Sequence, residues 1–347
     1  MIEVALVGVG YWGPNLANSI ERTTIGRLRW LCDLNRANAE TLAQRWPHAQ
    51  VSDRLDPILA DAKVDAVVLA TPTNTHYQLV KRCLQAGKHV LVEKPLTTHS
   101  GEAEELTRLA RETGRILMVG HVFEYNASIR AVSDLIRSGE LGDLHYMSFE
   151  RTNLGPVRTD VSALWDLATH DVSIMCDFVG AAPTEVSARG QSYLNKGLDD
   201  VVFATFAFPG GIVAHLHASW LNPRKVRQIT VVGSKKMVLW DDLDLRHPIR
   251  IYDKRVSLPP LSEITGSFLE YKTLVVDGGV STPPVTSNEP LLSECRHFLE
   301  CVRDSREPRS GGASGLRVVL ALEAAERSMR NGSAVTPVAP AATDRPR

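Results

Sequence analysis

Ile2-Glu3-Val4-Ala5-Leu6-Val7-Gly8-Val9-Gly10-Tyr11-Trp12-Gly13 is the stretch that decides the fold of this chain. A short apolar run, Val4 to Val7, reads as a buried strand and ends on a glycine. The glycines then follow the spacing of a dinucleotide-binding turn. Gly8 permits the tight turn, Gly10 lets the backbone approach a pyrophosphate, and Gly13 lets the next helix lie close on the strand. Asn15 to Arg22 has helical composition, so the turn opens a helix whose first N–H groups face the phosphates. Tyr11 and Trp12 complete the turn. About 20 residues on, a second apolar run, Leu28 to Cys32, ends at Asp33, an acid placed to accept hydrogen bonds from the adenosine ribose and to repel a 2′-phosphate. The expected cofactor is NAD, with Arg36 nearby leaving NADP open.

Strand-like and helix-like segments keep alternating to about residue 120. Helical segments are expected at 37–46, 76–86 and 101–113, and strands at 64–70, 89–92 and 116–119. This alternation predicts βαβ units and a parallel sheet, with functional loops at the carboxyl ends of the strands. The chemistry-bearing residues lie there: Gly8, Asp33, Thr71, Glu93-Lys94 and His121. Beyond residue 121 the texture changes. Helices are expected at 127–138 and 165–179. Strand-like runs at 144–152, 185–189, 201–208, 212–220, 227–232 and 236–240 are joined mostly by short turns, which predicts a mainly antiparallel sheet. Helices at about 289–304 and 314–330 close the chain. The expected fold is an α/β Rossmann domain over 1–120, an α+β domain with a large, mostly antiparallel open-faced sheet over 121–333, and a flexible tail over 334–347.

Composition bounds the function. The 347 residues carry a formal net charge of -1, with 44% apolar and 23% charged residues. That balance argues against a nucleic-acid binder. No run of 18 or more apolar residues is present, so no spanning helix is expected. The amino terminus goes straight from Met1 into a strand without a basic segment, so a cytoplasmic protein is expected. The five cysteines are scattered without a CxxC pair, which reads as reduced, buried thiols. His215 and His217 alternate on one strand face without a cysteine or carboxylate cluster, and no metal is expected.

Two further signals carry reaction chemistry. Glu93-Lys94-Pro95 ends a strand, where a lysine can hydrogen-bond a reacting oxygen or take part in proton transfer. Asp166-Leu167-Ala168-Thr169-His170 puts an acid and a histidine four residues apart on one helix face. Histidine titrates near neutrality and can accept an alcohol proton as hydride leaves.

Together these segments resemble the Gfo/Idh/MocA oxidoreductases over roughly residues 2 to 332. The resemblance is carried by the glycine turn, by Ala70-Thr71-Pro72-Thr73-Asn74-Thr75-His76, by Glu93-Lys94-Pro95 and by Asp166/His170. It implies an NAD(P)-dependent enzyme acting on CH–OH groups, in which Lys94 and His170 flank the sugar carbon that faces the nicotinamide. His170 is the expected base, Lys94 lowers the cost of the developing alkoxide, and Asp166 orients the site or holds a hydroxyl. Thr71, Pro72, Asn74 and His76 match the loop along ribose and nicotinamide, and Glu93 the position beside the nicotinamide ribose.

A narrower resemblance lies in Gly10–Leu16, Gly120–Asn126, Arg151–Gly155 and Val232–Met237. These look like the branch acting on nucleotide-linked sugars at C3, including UDP-N-acetylglucosamine 3-dehydrogenases, the corresponding uronate 3-dehydrogenases and 3-ketosugar reductases. Tyr125, Asn126, Asn153, Arg158, Trp165 and His170 are then the expected substrate contacts. Arg151, Arg158, Arg224, Lys225 and Arg227 are candidates for a diphosphate, and Trp165 and Trp220 for ring stacking. Residues 153–162 are expected to form a loop over the pocket. A homodimer or homotetramer is expected. The alternatives are an inositol or free-sugar dehydrogenase of the same family and a non-catalytic NAD-binding sensor.

Overall fold

The computed structural model describes residues 1–159, 161–194, 196–256 and 275–340. The chain divides into two compact units. The first holds Met1–Asn126, Asn288–Ala324 and, among the described residues, 338–340; the second holds Ala127–Ser287 and Ala325–Pro337.

The first unit is built on a six-stranded sheet of order β3-β2-β1-β4-β5-β6, all parallel. Its strands are β1 (Ile2–Val7), β2 (Gly26–Cys32), β3 (Gln50–Ser52), β4 (Ala66–Leu69), β5 (His89–Glu93) and β6 (Leu117–Gly120). The four residues of β4 and of β6 are all buried. Runs apolar on both faces are what a parallel sheet covered on both sides requires. The helices are α1 (Gly13–Arg22), α2 (Arg36–Ala43), α3 (Asp56–Ala60), α4 (His76–Gln85) and α5 (Ser100–Thr113). Strand order reverses between β1 and β4. The crevice at such a reversal is where doubly wound sheets hold ligands.

The boundary of this unit differs from the expected one. Helix α8 (Pro290–Asp304) belongs to the first unit rather than the second. Its Cys295, Phe298, Leu299 and Val302 join Leu16, Ile20, Leu28 and Leu31 in one hydrophobic cluster. Leu299 lies so close to Gly26 that a side-chain carbon at Gly26 would come within 2.6 Å of it. The amphipathic pattern of 290–304 was visible in the sequence; which sheet it covers was not. Helix α9 (Gly312–Arg330) starts in the first unit and ends in the second.

The second unit contains a nine-stranded sheet of order β14-β13-β12-β11-β7-β10-β9-β8-β15. The strands are β7 (Leu144–Leu154), β8 (Glu185–Gln191), β9 (Val201–Ala207), β10 (Val213–Ser219), β11 (Leu221–Gly233), β12 (Met237–Asp241), β13 (Ile249–Val256), β14 (Val275–Ser281) and β15 (Thr336–Pro337). Every pair is antiparallel except β7 with β10. Helices α6 (Ala127–Arg137) and α7 (Thr169–Val179) belong to this unit, and Trp240 of β12 donates from Nε1 to Ser128 Oγ of α6 at 2.7 Å. Burial alternates along β9 and β10, leaving Phe203, Val213 and Tyr146 of neighbouring strands exposed on one face.

Several elements depart from expectation. The strand expected at 227–232 begins six residues earlier, at Leu221, with a register shift between Leu221 and Val226. Strands β3, β13, β14 and β15 and the short α3 were not anticipated. The segment expected as a mobile tail is ordered at its start: Thr336 and Pro337 pair with Val186 and Glu185, and Val338 is buried. The rest of that tail, 341–347, lies outside the described residues. No helix among the described residues is long and apolar enough to cross a membrane.

Candidate active site

The glycine turn fits a dinucleotide on steric grounds. Gly8 has φ +89°, and its N–H donates to the Cys32 carbonyl at 2.8 Å, tying the turn to the end of β2. A Cβ on Gly8 would sit 2.5 Å from the Ala70 carbonyl oxygen, at the end of the neighbouring β4, and one on Gly13 would sit 2.7 Å from the Gly8 carbonyl oxygen. Around Gly10 there is nothing within 4 Å of where a Cβ would stand. Two glycines thus close the turn against protein and the third faces open space, the arrangement that lets a pyrophosphate reach the backbone. Pro14 stands in the first turn of α1 and no acid does, so the positive end of the helix is not neutralised. Tyr11 is 95% exposed and Trp12 partly so.

Asp33 is held by the backbone. One carboxylate oxygen accepts from Val9 N–H at 2.9 Å, the other from Asn35 N–H at 3.0 Å. Asp33 therefore stands over the turn with lone pairs left for ribose hydroxyls. Arg36 donates to Glu40 at 2.8 Å. That carboxylate opposes its use for a 2′-phosphate, in keeping with NAD.

The loop after β4 is self-braced. Thr71 and Thr75 hydroxyls are 2.7 Å apart, and Thr75 Oγ1 donates to Pro72 O at 2.7 Å. Pro72 and Asn74 are exposed and available to a ligand. His76 corrects the sequence expectation. It is 1% exposed, with Nδ1 2.8 Å from Pro95 O and Nε2 2.9 Å from Thr71 O. The ring is a buried strut between the loops after β4 and β5, with both nitrogens already engaged by protein carbonyls. Burial, the strongest influence, lowers its pKa against the raising effect of the carbonyls.

Glu93 and Lys94 end β5, followed by the cis peptide to Pro95. Burial pushes the Glu93 carboxyl up to about 7, although Lys94 beside it and a hydrogen bond from Trp12 of the glycine turn pull the other way. His121, at the end of β6, is 1% exposed, and burial with the nearby Lys94 cation pulls it down to about 3. Tyr125 is another correction. Expected at the sugar, it is 4% exposed inside the first unit's core, its hydroxyl 3.0 Å from Ser310 Oγ. Asn126, next to it, is half-buried.

In the second unit the expected helix 165–179 is present and unbroken, but its first turn is wound differently. Leu164–Ala168 forms a π-helical turn and α7 starts only at Thr169. Asp166 and His170 straddle this junction, a kind of irregularity that recurs at functional sites. Arg158 donates to Asp166 Oδ1 at 3.1 Å. The Asn153 side-chain amide donates to the Gly155 carbonyl. Residue 160, within the loop expected over the pocket, lies outside the described residues.

Three other expectations are overturned. Trp165 is 6% and Trp220 1% exposed, so both fill the core rather than stack on a sugar. Arg151 is buried and meets the Asp171 carboxylate through Nε and Nη2, at 2.6 Å for the shortest contact, so it does not meet a diphosphate. Sequence reading missed Asp171, whose position within α7 offered no sign of its partner. Arg227 pairs with Asp242 at 3.0 Å. Arg224 and Lys225 are exposed and line a groove of about 510 Å³ with Gln228, Asp244 and Arg246.

Comparison with known proteins shows the family. Residues 2–121 match the model of the oxidoreductase family with an NAD-binding Rossmann fold, and 129–239 match that of the GFO/IDH/MocA C-terminal domain. The uncharacterized oxidoreductase YdgJ of Escherichia coli is 30% identical over 67% of this chain and 69% of its own length. The chain belongs to the Gfo/Idh/MocA oxidoreductase family. Within that family, UDP-N-acetylglucosamine 3-dehydrogenase of Acidithiobacillus ferrooxidans is 27% identical over 92% of this chain and 95% of its own. The NAD-dependent scyllo-inositol 2-dehydrogenase of Bacillus subtilis is 25% identical over 96% of each chain. A solved structure of the Acidithiobacillus ferrooxidans 3-dehydrogenase superposes with TM-score 0.79 at 25% identity, covering 95% of this chain and 99% of that one. GenD2 from gentamicin A biosynthesis, in complex with NAD, gives TM-score 0.80 at 25% identity, covering 97% and 96%. The protein is an NAD-type oxidoreductase of a family that acts on sugar and polyol CH–OH groups.

Proposed function

We propose that this Gfo/Idh/MocA protein transfers hydride between C3 of a nucleotide-linked amino sugar, such as UDP-N-acetylglucosamine or its uronate, and NAD. The observation that carries this reading is the end-to-end likeness to a UDP-N-acetylglucosamine 3-dehydrogenase, over 92% of this chain and 95% of that one. The exposed Arg224 and Lys225 beside their groove supply cations suited to a diphosphate.

NAD, when bound, accepts hydride at its nicotinamide C4 in the oxidation direction and returns it in the reduction direction. The turn Gly8 to Gly13 and the start of α1 hold the pyrophosphate, Asp33 the adenosine ribose, and Thr71, Pro72, Asn74 and Glu93 the nicotinamide end. His170 takes the proton of the C3 hydroxyl. Lys94 donates a charge-assisted hydrogen bond to the developing alkoxide, and Asp166 orients the substrate side. The exposed sheet face with Phe203, Val213 and Tyr146 fits a second copy of the chain, making a homodimer or homotetramer.

A second reading, an inositol or free-sugar dehydrogenase, is favoured by two observations. Arg151, Arg158 and Arg227 already hold carboxylates, and the Bacillus subtilis scyllo-inositol enzyme matches over 96% of each chain. Incubating purified protein and NAD with UDP-N-acetylglucosamine, its uronate, N-acetylglucosamine and scyllo-inositol separates the two. NADH formation with a 3-keto nucleotide sugar seen by mass spectrometry is expected. Turnover of the free polyol alone would overturn the nucleotide-sugar reading. Lys94→Ala and His170→Ala are each expected to lower kcat about 100-fold or more; near-normal turnover in both would remove their assigned roles.

A further inference from the structure

Next to half-buried Glu93 and Lys94, inside the first unit, stand buried titratable groups that the reaction above leaves unused. Glu294 of α8 is 0% exposed, and neither carboxyl oxygen has a hydrogen-bond partner among the described residues. His121 is 1% exposed, and neither ring nitrogen has one. Glu124 is 2% exposed. The Glu93 carboxyl lies against the end of β6, 3.2 Å from where a Cβ on Gly120 would stand.

These groups feel one another. Glu294 experiences Glu93 and Glu124 as like charges, and burial, the largest influence, drives its carboxyl well above the usual range. Tyr125 and Cys295 are the other titratable groups against Glu294, and Lys94 is the cation facing both Glu93 and His121. A carboxylate sealed from water without a donor does not stay ionised, so Glu294 is a carboxylic acid at neutral pH. Glu93 and Glu294, each feeling the other's charge, titrate as a unit. A metal does not account for the set. Among the described residues no three or more His, Cys, Asp or Glu side chains are placed to hold an ion. The set also touches the cofactor turn, because Trp12 donates a hydrogen bond to Glu93.

We propose that Glu93, Glu124 and Glu294, with His121 and Lys94 beside them, form a buried proton store whose filling follows the charge of the bound nicotinamide, so that it takes up a proton when NADH replaces NAD. This rests on the reading that Glu93 lies at the nicotinamide end of the cofactor site. Oxidised nicotinamide carries one positive charge and reduced nicotinamide none. Removing that charge leaves the carboxyl cluster less stabilised as anions. A proton from solvent then forms an O–H bond on Glu93, and no electrons move in that step. Glu294 already holds its proton and keeps the remaining negative charge small. These residues act on the charge of the site and are positioning residues.

The test needs no sugar substrate. NAD and NADH are each titrated into the full-length protein by calorimetry at about pH 7, in two buffers of different ionisation enthalpy. NADH binding is expected to take up a measurable fraction of a proton more than NAD binding. The NADH-to-NAD affinity ratio is expected to fall about tenfold between about pH 6 and 9, the scale set by moving one charge within reach of a buried carboxyl. In Glu93→Gln, a neutral isostere, the difference in proton uptake disappears. In Glu294→Gln, which replaces a neutral acid by a neutral amide, the difference persists. Equal uptake for the two cofactors across the pH range would overturn the proposal, as would a full difference in Glu93→Gln. The wild-type measurement decides the matter even where a variant does not fold. A wrong sugar assignment leaves it untouched, so the two readings fail separately.

Discussion

Gly8 and Gly10 stand two residues apart in one turn, yet replacing each by alanine is expected to damage different properties. At Gly8 an alanine meets two penalties. Its φ of +89° puts an L-residue in a left-handed conformation, costing about 1–2 kcal/mol. Its Cβ would lie 2.5 Å from the Ala70 carbonyl oxygen, a backbone atom at the end of β4 that cannot rotate aside. Forcing β1 and β4 apart at that point adds about 1–3 kcal/mol. Gly8→Ala is therefore expected to lose roughly 2–5 kcal/mol of stability, read as a lower urea midpoint at unchanged slope. At Gly10 nothing stands within 4 Å of a new Cβ, so Gly10→Ala should unfold within about 0.5 kcal/mol of wild type. Its methyl instead fills the space where phosphate meets the backbone. Losing one charge-assisted hydrogen bond there, about 1.5–3 kcal/mol, weakens NAD roughly tenfold to a hundredfold in a fluorescence titration. Wild-type NAD affinity in Gly10→Ala would refute the assignment of this turn to the pyrophosphate. Equal destabilisation of both variants would refute the division between closing glycines and an open one.

Two other outcomes follow from buried charge. Arg151→Met leaves the Asp171 carboxylate, 3% exposed, without its cation and is expected to cost about 3–5 kcal/mol; a urea midpoint like that of wild type would show the pair to be energetically idle. The Glu93 carboxyl has an ordinary value of 4.5 and about 7 when folded, so the folded state binds its proton more tightly. That contribution is fully present below about pH 4.5 and lost as pH rises through about 7. His121 runs the other way, from an ordinary 6.5 to about 3 when folded, and its contribution is lost as pH falls from about 6.5 toward 3. The stability difference between wild type and Glu93→Gln should shrink from about pH 4.5 to 7, and that between wild type and His121→Asn should shrink as pH falls from about 6.5 toward 3; parallel profiles in all three proteins would contradict both assignments.

Much of the first unit could be read from sequence because its signals are local. A strand that must turn on glycine, an acid at the next strand end and a lysine at a later one are fixed by spacing alone. Burial was harder to read. Tyr125, Trp165 and Trp220 carry side chains equally suited to a sugar face and to a core, and only the tertiary fold chose the core. Arg151 could have been exposed, but a carboxylate 20 residues away claimed it. His76 lay in the right loop, with its ring turned inward onto two carbonyls. Glu294 did leave a trace. It sits three residues after Leu291 and four before Phe298, on the apolar stripe of α8, where an acid has no solvent to face.

The return of α8 to the first unit bears on how the protein is made. Residues 1–126 alone lack Phe298, Leu299 and Val302, which cover β1, β2 and α1. On the ribosome the cofactor half must wait, partly uncovered, while the nine-stranded sheet is synthesised, and it is completed only when the segment 288–324 emerges. Competence to bind NAD is thus among the last properties a nascent chain acquires, and a chain cut short before α8 gives a sheet with one greasy flank exposed rather than a small working nucleotide binder.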